Sequence, residues 1–258
     1  MADALFTVTD DPSVLHATPH TEGPWEPGMQ HGGPVAALLA RTVEQTPSSI
    51  AGSSQVTRLT VEILGPVPVG EVQTRGAVVR PGRSVELVSA SLVVDGRTAA
   101  QAHAWRIRRA SVEAVTAPAP AALPNTTPPV TDPFLRTGFL GTHEWRFVRG
   151  GFMTGGTSLV WARQRVPLVA GEEPSGLQRL MAVADCGNGL SGSVDFTRWW
   201  FINVDLTVHL HREPSGEWMC VQAASVYGPS GAGLAETELF DRSGRLGRGA
   251  QSLLVGPR

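Results

Sequence analysis

Two stretches of the chain carry the same rhythm of apolar and polar positions. Alternation with period two predicts strands over residues 55–64, 71–79, 85–94 and 97–108, the last two joined by an Asp95-Gly96 turn. The rhythm returns over 201–211, 217–227, 234–240 and 245–255, with Asp241-Arg242-Ser243-Gly244 before the final strand. Superposing the two places Leu59-Thr60-Val61 on Leu206-Thr207-Val208 and Gly96-Arg97 on Gly244-Arg245. Shorter strand-like runs at 5–9, 14–18, 145–148 and 158–164 complete the two sets.

Each meander follows a helical segment. Residues 34–44 are rich in Ala and Leu, with Pro34 in the first turn, where a missing N–H costs nothing, and Pro47 beyond the end. In the second half Ser175 caps a helix over 176–185, with Leu177, Leu180, Met181 and Ala184 at helical spacing and Gly187 and Gly189 stopping it. The almost wholly apolar run 35–40 requires burial on most sides. A sheet of about five or six strands curled around one helix meets that need in each half. The expected class is α+β, with two antiparallel sheets each wrapped around a central helix. Six prolines between Pro118 and Pro133 mark 110–133 as an extended linker, dividing the chain into 1–109, 110–133 and 134–258.

Composition narrows the chemistry. The 258 residues are 41% hydrophobic and carry 23 acidic against 21 basic side chains, which argues for a folded protein without the basic stripe of a nucleic-acid binder. All the bases are arginine, so Schiff-base and P-loop lysine chemistry are excluded. Cys186 and Cys220 are too few and too far apart for a disulfide framework or a zinc site. No leader-like or membrane-spanning apolar run occurs, so a soluble cytoplasmic protein is expected.

A helix in a curled sheet, met twice in one chain, resembles the double-hotdog arrangement of the thioesterase-like superfamily. Gln30-His31-Gly32-Gly33-Pro34 is similar to the helix entry of those proteins. The stretch from Asn203-Val204-Asp205-Leu206 through His211-Arg212-Glu213-Pro214 and Glu217-Trp218 to Ala250-Gln251-Ser252 resembles the C-terminal half of type II acyl-CoA thioesterases. The resemblance implies hydrolysis of an acyl-CoA thioester in lipid metabolism, with no metal or cofactor, and a homo-oligomer formed through the hotdog sheets.

It also implies roles for particular residues. On spacing alone Asp205 is a polar-face strand residue, sharing a face with Asn203, Thr207 and His209. The resemblance makes Asp205 the carboxylate that activates water and Gln251 the amide that steers it. The family's threonine falls on Val226 without a gap; either a small gap brings Ser225 into the role, or the hydroxyl is missing. Gly32 and Gly33 offer backbone N–H groups at a helix N-terminus for the thioester oxygen, with His31 beside them. Asp185 and Asn188 match polar residues at the end of the family helix, where they satisfy backbone groups or line the acyl site. Two other readings stay open: an acyl-CoA-binding protein without catalysis, and a hotdog enoyl-CoA hydratase. The spacing of Asp205 and His209 on one strand argues against the hydratase.

Overall fold

The computed structural model describes residues 3–11, 13–111, 133–152 and 154–258; the expected linker lies almost wholly outside them. The first half comprises β1 (Phe6–Val8), β2 (Val14–Ala17), α1 (Gly32–Gln45), β3 (Ser54–Ile63), β4 (Glu71–Arg80), β5 (Val85–Val94) and β6 (Arg97–Arg108). The second comprises β7 (His143–Arg149), β8 (Ser158–Gln164), α2 (Gly176–Ala184), α3 (Gly187–Ser191), β9 (Trp199–Asn203), β10 (Asp205–Leu210), β11 (Trp218–Tyr227), β12 (Ala232–Asp241) and β13 (Gly244–Pro257). The predicted strands are present, with the run 201–211 divided into β9 and β10, and the glycines after α2 open the short α3 instead of ending the helical region.

The two expected sheets are joined edge to edge into one. All pairing strands join one 13-stranded sheet in the order β1-β2-β4-β5-β6-β3-β10-β13-β12-β11-β8-β7, with β9 on β13. The halves meet at the antiparallel pair β3 and β10, where Leu59, Thr60 and Val61 lie opposite Val208, Thr207 and Leu206. The repeated segments found by superposition are therefore the two strands of the seam, facing each other about Thr60 and Thr207.

Both long helices pack on the sheet, α1 against β3–β6 and α2 against β8 and β11, and on each other. Residues 33–43 of α1 are all buried, as its apolar sequence demands. A single core runs through both halves, combining Val35, Leu38 and Leu39 of α1 and Leu180 and Met181 of α2 with inward strand residues such as Leu59, Val61, Leu206 and Val208. The crossing is close at one end: a Cβ on Gly33 would lie 2.6 Å from the Ala182 carbonyl oxygen and 2.7 Å from the Phe139 ring. Neither Gly32 nor Gly33 has a positive φ. These glycines supply clearance, and that clearance brings the start of α1 against the end of α2.

A smaller cluster, Trp161, Trp218, Cys220 and Phe240, is covered by arginines. Arg146, Arg163 and Arg242 lie over the Trp218 ring, and Glu144, 4% exposed, takes hydrogen bonds from Arg146, Arg163 and Arg165 at 2.7 Å each. Arg165 first, then Arg163 and Arg146, hold the Glu144 carboxyl at about 2 against the opposing effect of burial. A carboxyl depressed from 4.5 on folding stabilises the protein fully above that value, and the contribution fades as pH falls toward about 2. Glu144→Gln should therefore flatten the stability profile across that acid window, read by circular dichroism in urea at stepped pH; an unchanged slope would contradict it.

Candidate active site

The N-terminus of α1 and the C-terminus of α2 converge on one polar cluster. Asp185, 2% exposed, follows α2 directly; a Cβ on Gly32 would sit 2.6 Å from its Oδ2. Its Oδ1 accepts from Asn203 Nδ2 at 2.8 Å, and its Oδ2 stands 3.1 Å from His31 Nδ1. His31 caps α1 by accepting the Gly33 N–H on that same Nδ1 at 2.9 Å. A ring nitrogen has one in-plane position, so Nδ1 receives the amide as a lone pair or donates to the carboxylate when protonated. Among the described residues nothing accepts from the Gly32 N–H.

Gln251, 1% exposed, secures the cluster from the sheet side. Its Nε2 donates to the Asp185 carbonyl at 3.0 Å and its Oε1 accepts from the Asn188 N–H at 3.1 Å. Asn188 Nδ2 donates to the Phe201 carbonyl at 3.2 Å. Both bonds of Gln251 go to backbone, so this amide fixes the turn that carries Asp185. Ser225 faces the same side, two strands from Gln251 through Ala235, and meets Ser191 Oγ at 2.6 Å on the far end of α3; Val226 points out, 65% exposed.

Asp205 is placed elsewhere. Between Asn203 opposite Leu253 and Thr207 opposite Ala250, four steps along one strand face three along β13, so one residue is bulged out at Val204. The extra residue reverses the inward phase: Phe201 and Asn203 are buried before it, Leu206 and Val208 after it. Asn203 therefore turns into the cluster, while Asp205 turns to the outer face and accepts the Ser252 N–H at 2.7 Å. Sequence alternation puts the two residues on one face and gives Asn203 no role of its own.

The cluster opens into a cavity of about 290 Å³. His31, Gly32, Asp185, Asn188 and Asn203 form its polar end, and Trp25, Met29, Val35, Ile63, Val67 and Ile202 its apolar wall. Gly33, Gln251, Ser225 and Asp205 do not line it. Behind His31 the Phe139 ring packs on both His31 and His143, with centroids at 4.7 and 4.9 Å. Burial first, then the nearby His31, push His143 down to about 4, so it is neutral backing for the site at ordinary pH. Burial pushes the thiol of Cys186 far up, and that of Cys220 to about 12, so neither supplies a thiolate nucleophile. No group of ligand-type residues that could hold a metal occurs among the described residues.

A buried carboxylate, an amide and an imidazole at a helix N-terminus, opening on an apolar cavity, suit the hydrolysis of an acyl group. Residues 21–107 match the family described as the acyl-CoA thioesterase N-terminal domain, and residues 111–255 its C-terminal domain. The chain belongs to this acyl-CoA thioesterase family. Solved structures with the same fold include a hot dog fold protein of unknown function from Alicyclobacillus acidocaldarius, with a TM-score of 0.72 at 19% identity over 99% of this chain and 97% of that one. An acyl-CoA thioesterase II from Mycobacterium marinum gives 0.67 at 14% over 97% and 94%. The tesB protein of Mycobacterium avium subs paratuberculosis gives 0.65 at 16% over 97% and 96%. No curated protein matches the chain.

Proposed function

We propose that the chain is a cytoplasmic acyl-CoA thioesterase built as a double hotdog, and that Asp185 is its general base. The observation that carries this reading is the Asp185 carboxylate, held by the Asn203 amide with His31 beside it at the wall of the cavity. Water bound between Asp185 and the Asn203 amide attacks the thioester carbonyl carbon as Asp185 takes its proton. The carbonyl oxygen becomes an oxyanion facing the unpaired Gly32 N–H at the positive end of α1. The C–S bond then breaks, and the proton passes to the departing thiolate. His31 Nδ1, beside Oδ2, can share that proton with Asp185. Gln251 acts by holding the Asp185 turn, and Asn188 lines the cavity beside it.

This reading moves the base from Asp205 to Asp185 and the oxyanion donor from Gly33, whose N–H is taken by His31, to Gly32. Ser225 has no part in it. The apolar wall takes the acyl chain, and the coenzyme leaves past the exposed rim. Arg97, beside Gly65 and bonded to the Pro66 carbonyl at 3.2 Å, and Arg258, 5.7 Å over Trp25, are the cations placed there for its phosphates.

A panel of acyl-CoAs of increasing chain length, with released thiol measured colorimetrically, tests the reading. Turnover is expected for chains that fit about 290 Å³, with the rate falling as chains outgrow it. Tight binding without thiol release across the panel would instead identify a binding protein, and loss of enoyl conjugation a hydratase.

A further inference from the structure

One apolar wall of the active-site cavity is the indole of Trp25, carried on a loop whose ends are tied together. The Gly23 N–H donates to the Met29 carbonyl at 2.9 Å, and the Gly28 N–H to Glu22 Oε1 at 2.8 Å. The half-buried ring packs on Phe196 and Phe201, with centroids at 5.0 and 5.1 Å, and the Arg258 guanidinium lies 5.7 Å over it. A second, smaller cavity of about 20 Å³, room for a single water, is lined by Trp25 with Leu140, Phe152, Gly189, Phe196 and Phe201. No Asp, Glu or Arg lines this chamber, so it suits an alkyl chain and not a charged group.

Trp25, His31 and Asn188 line both spaces. His31 is fixed by the Gly33 N–H, and Asn188 by the Phe201 carbonyl and Gln251, so these two belong to the hydrogen bonds of the site itself. Trp25 is the apolar partition. We propose that Trp25 sets the length of acyl chain the site accepts: its indole closes the cavity of about 290 Å³ against the aromatic chamber, and a chain that outgrows the first space is stopped by that ring. The proposal rests on the hydrolase reading above and adds to it the residue that measures the substrate. Without the indole the two spaces join, and each further methylene that finds a buried place is worth about fourfold in kcat/KM or in affinity.

The test is a series of straight-chain acyl-CoAs from butyryl to palmitoyl, read as thiol release and, in parallel, as dissociation constants by titration calorimetry. Comparing chain lengths within one variant cancels any change in how the coenzyme is held. Trp25→Ala should raise kcat/KM for chains just beyond the wild-type limit, relative to butyryl-CoA, by on the order of 10-fold or more. Trp25→Phe leaves a smaller ring in the opening and should shift the limit less. Gly189 has no positive φ, and a Cβ there would lie 3.4 Å from Phe152 Cδ1, in ordinary contact inside the chamber. Adding Gly189→Leu to Trp25→Ala should therefore refill the space from the far side and bring the limit back toward that of the wild type. Circular dichroism checks that each variant is folded. A length profile that stays unmoved in folded Trp25→Ala, or a shift that Gly189→Leu leaves in place, would overturn the assignment. Failure of the hydrolase reading is distinguishable: the dissociation constants still shift with chain length in Trp25→Ala while the wild type releases no thiol.

Discussion

Replacing Asp185 by asparagine should lower kcat for acyl-CoA hydrolysis by on the order of 10²–10⁴, the range for removal of a general base. Asparagine keeps the shape and can still accept from Asn203 Nδ2, which bonds the Asp185 Oδ1 at 2.8 Å, so the site should stay assembled. What is lost is the group that accepts the water proton in the transition state. The fall should therefore appear in kcat and kcat/KM together, with KM little changed. Asp205→Asn provides the contrast: that side chain accepts the Ser252 N–H on the opposite face of the sheet, so hydrolysis should stay near wild type. Single-turnover thiol release from the two variants decides between the carboxylates. If Asp205→Asn is the slow variant and Asp185→Asn the active one, the assignment of the base fails.

The largest loss of stability is expected from Arg106→Met. Glu86 is fully buried, and its carboxylate accepts from Ser48 Oγ at 2.7 Å, Ser49 N and Oγ at 2.8 and 2.6 Å, and Arg106 Nη1 at 3.1 Å. Arg106 Nη2 also donates to the Val43 carbonyl and, at 2.8 Å, to that of Thr46, at the C-terminus of α1. One guanidinium thus balances a buried charge and adds hydrogen bonds to the carbonyls at the end of α1. Methionine fills similar volume but leaves the carboxylate without its counter-charge, and breaking a buried pair in this way costs about 3–5 kcal/mol. A fall in the urea midpoint at unchanged slope would report that loss. A midpoint within experimental scatter of wild type would show that the serines alone carry Glu86.

The elements of this fold are legible because each obeys a simple periodicity. β5 and β6 run over the residues that alternation marks, and α1 extends the predicted helix by two residues at its start and one at its end. The active-site geometry is legible only in part. His31, Gly32, Asp185, Asn188 and Gln251 stand out in the sequence and are brought together; the resemblance adds Asp205, whereas the residue of that stretch that turns into the cluster is Asn203. The cause is local: Val204-Asp205-Leu206-Thr207-Val208 alternates without a flaw, so nothing in the pattern announces that Val204 is bulged and the phase before it reversed. The glycines at the start of α1 read in the sequence as N–H donors, and what the sequence does not show is the room they leave for Asp185 and α2. The seam is hidden for another reason. A polar and apolar alternation says which face of a strand is buried and is silent about which neighbour completes its hydrogen bonds. Only the matching of 59–61 with 206–208 hints that these strands lie together.

That seam decides what can be done with the halves separately. Because β3 and β10 satisfy each other's backbone along five opposed residue pairs, a cut between the repeats would leave each fragment with a raw strand edge and half an apolar core open to solvent. Such edges recruit other chains, so isolated halves should aggregate instead of behaving as small domains. Among the described residues the sheet path ends at short β1, whose backbone bonds the segment 167–170, and at β7, whose Glu144, Arg146 and Arg149 place charges along that border and discourage uncontrolled growth of the sheet.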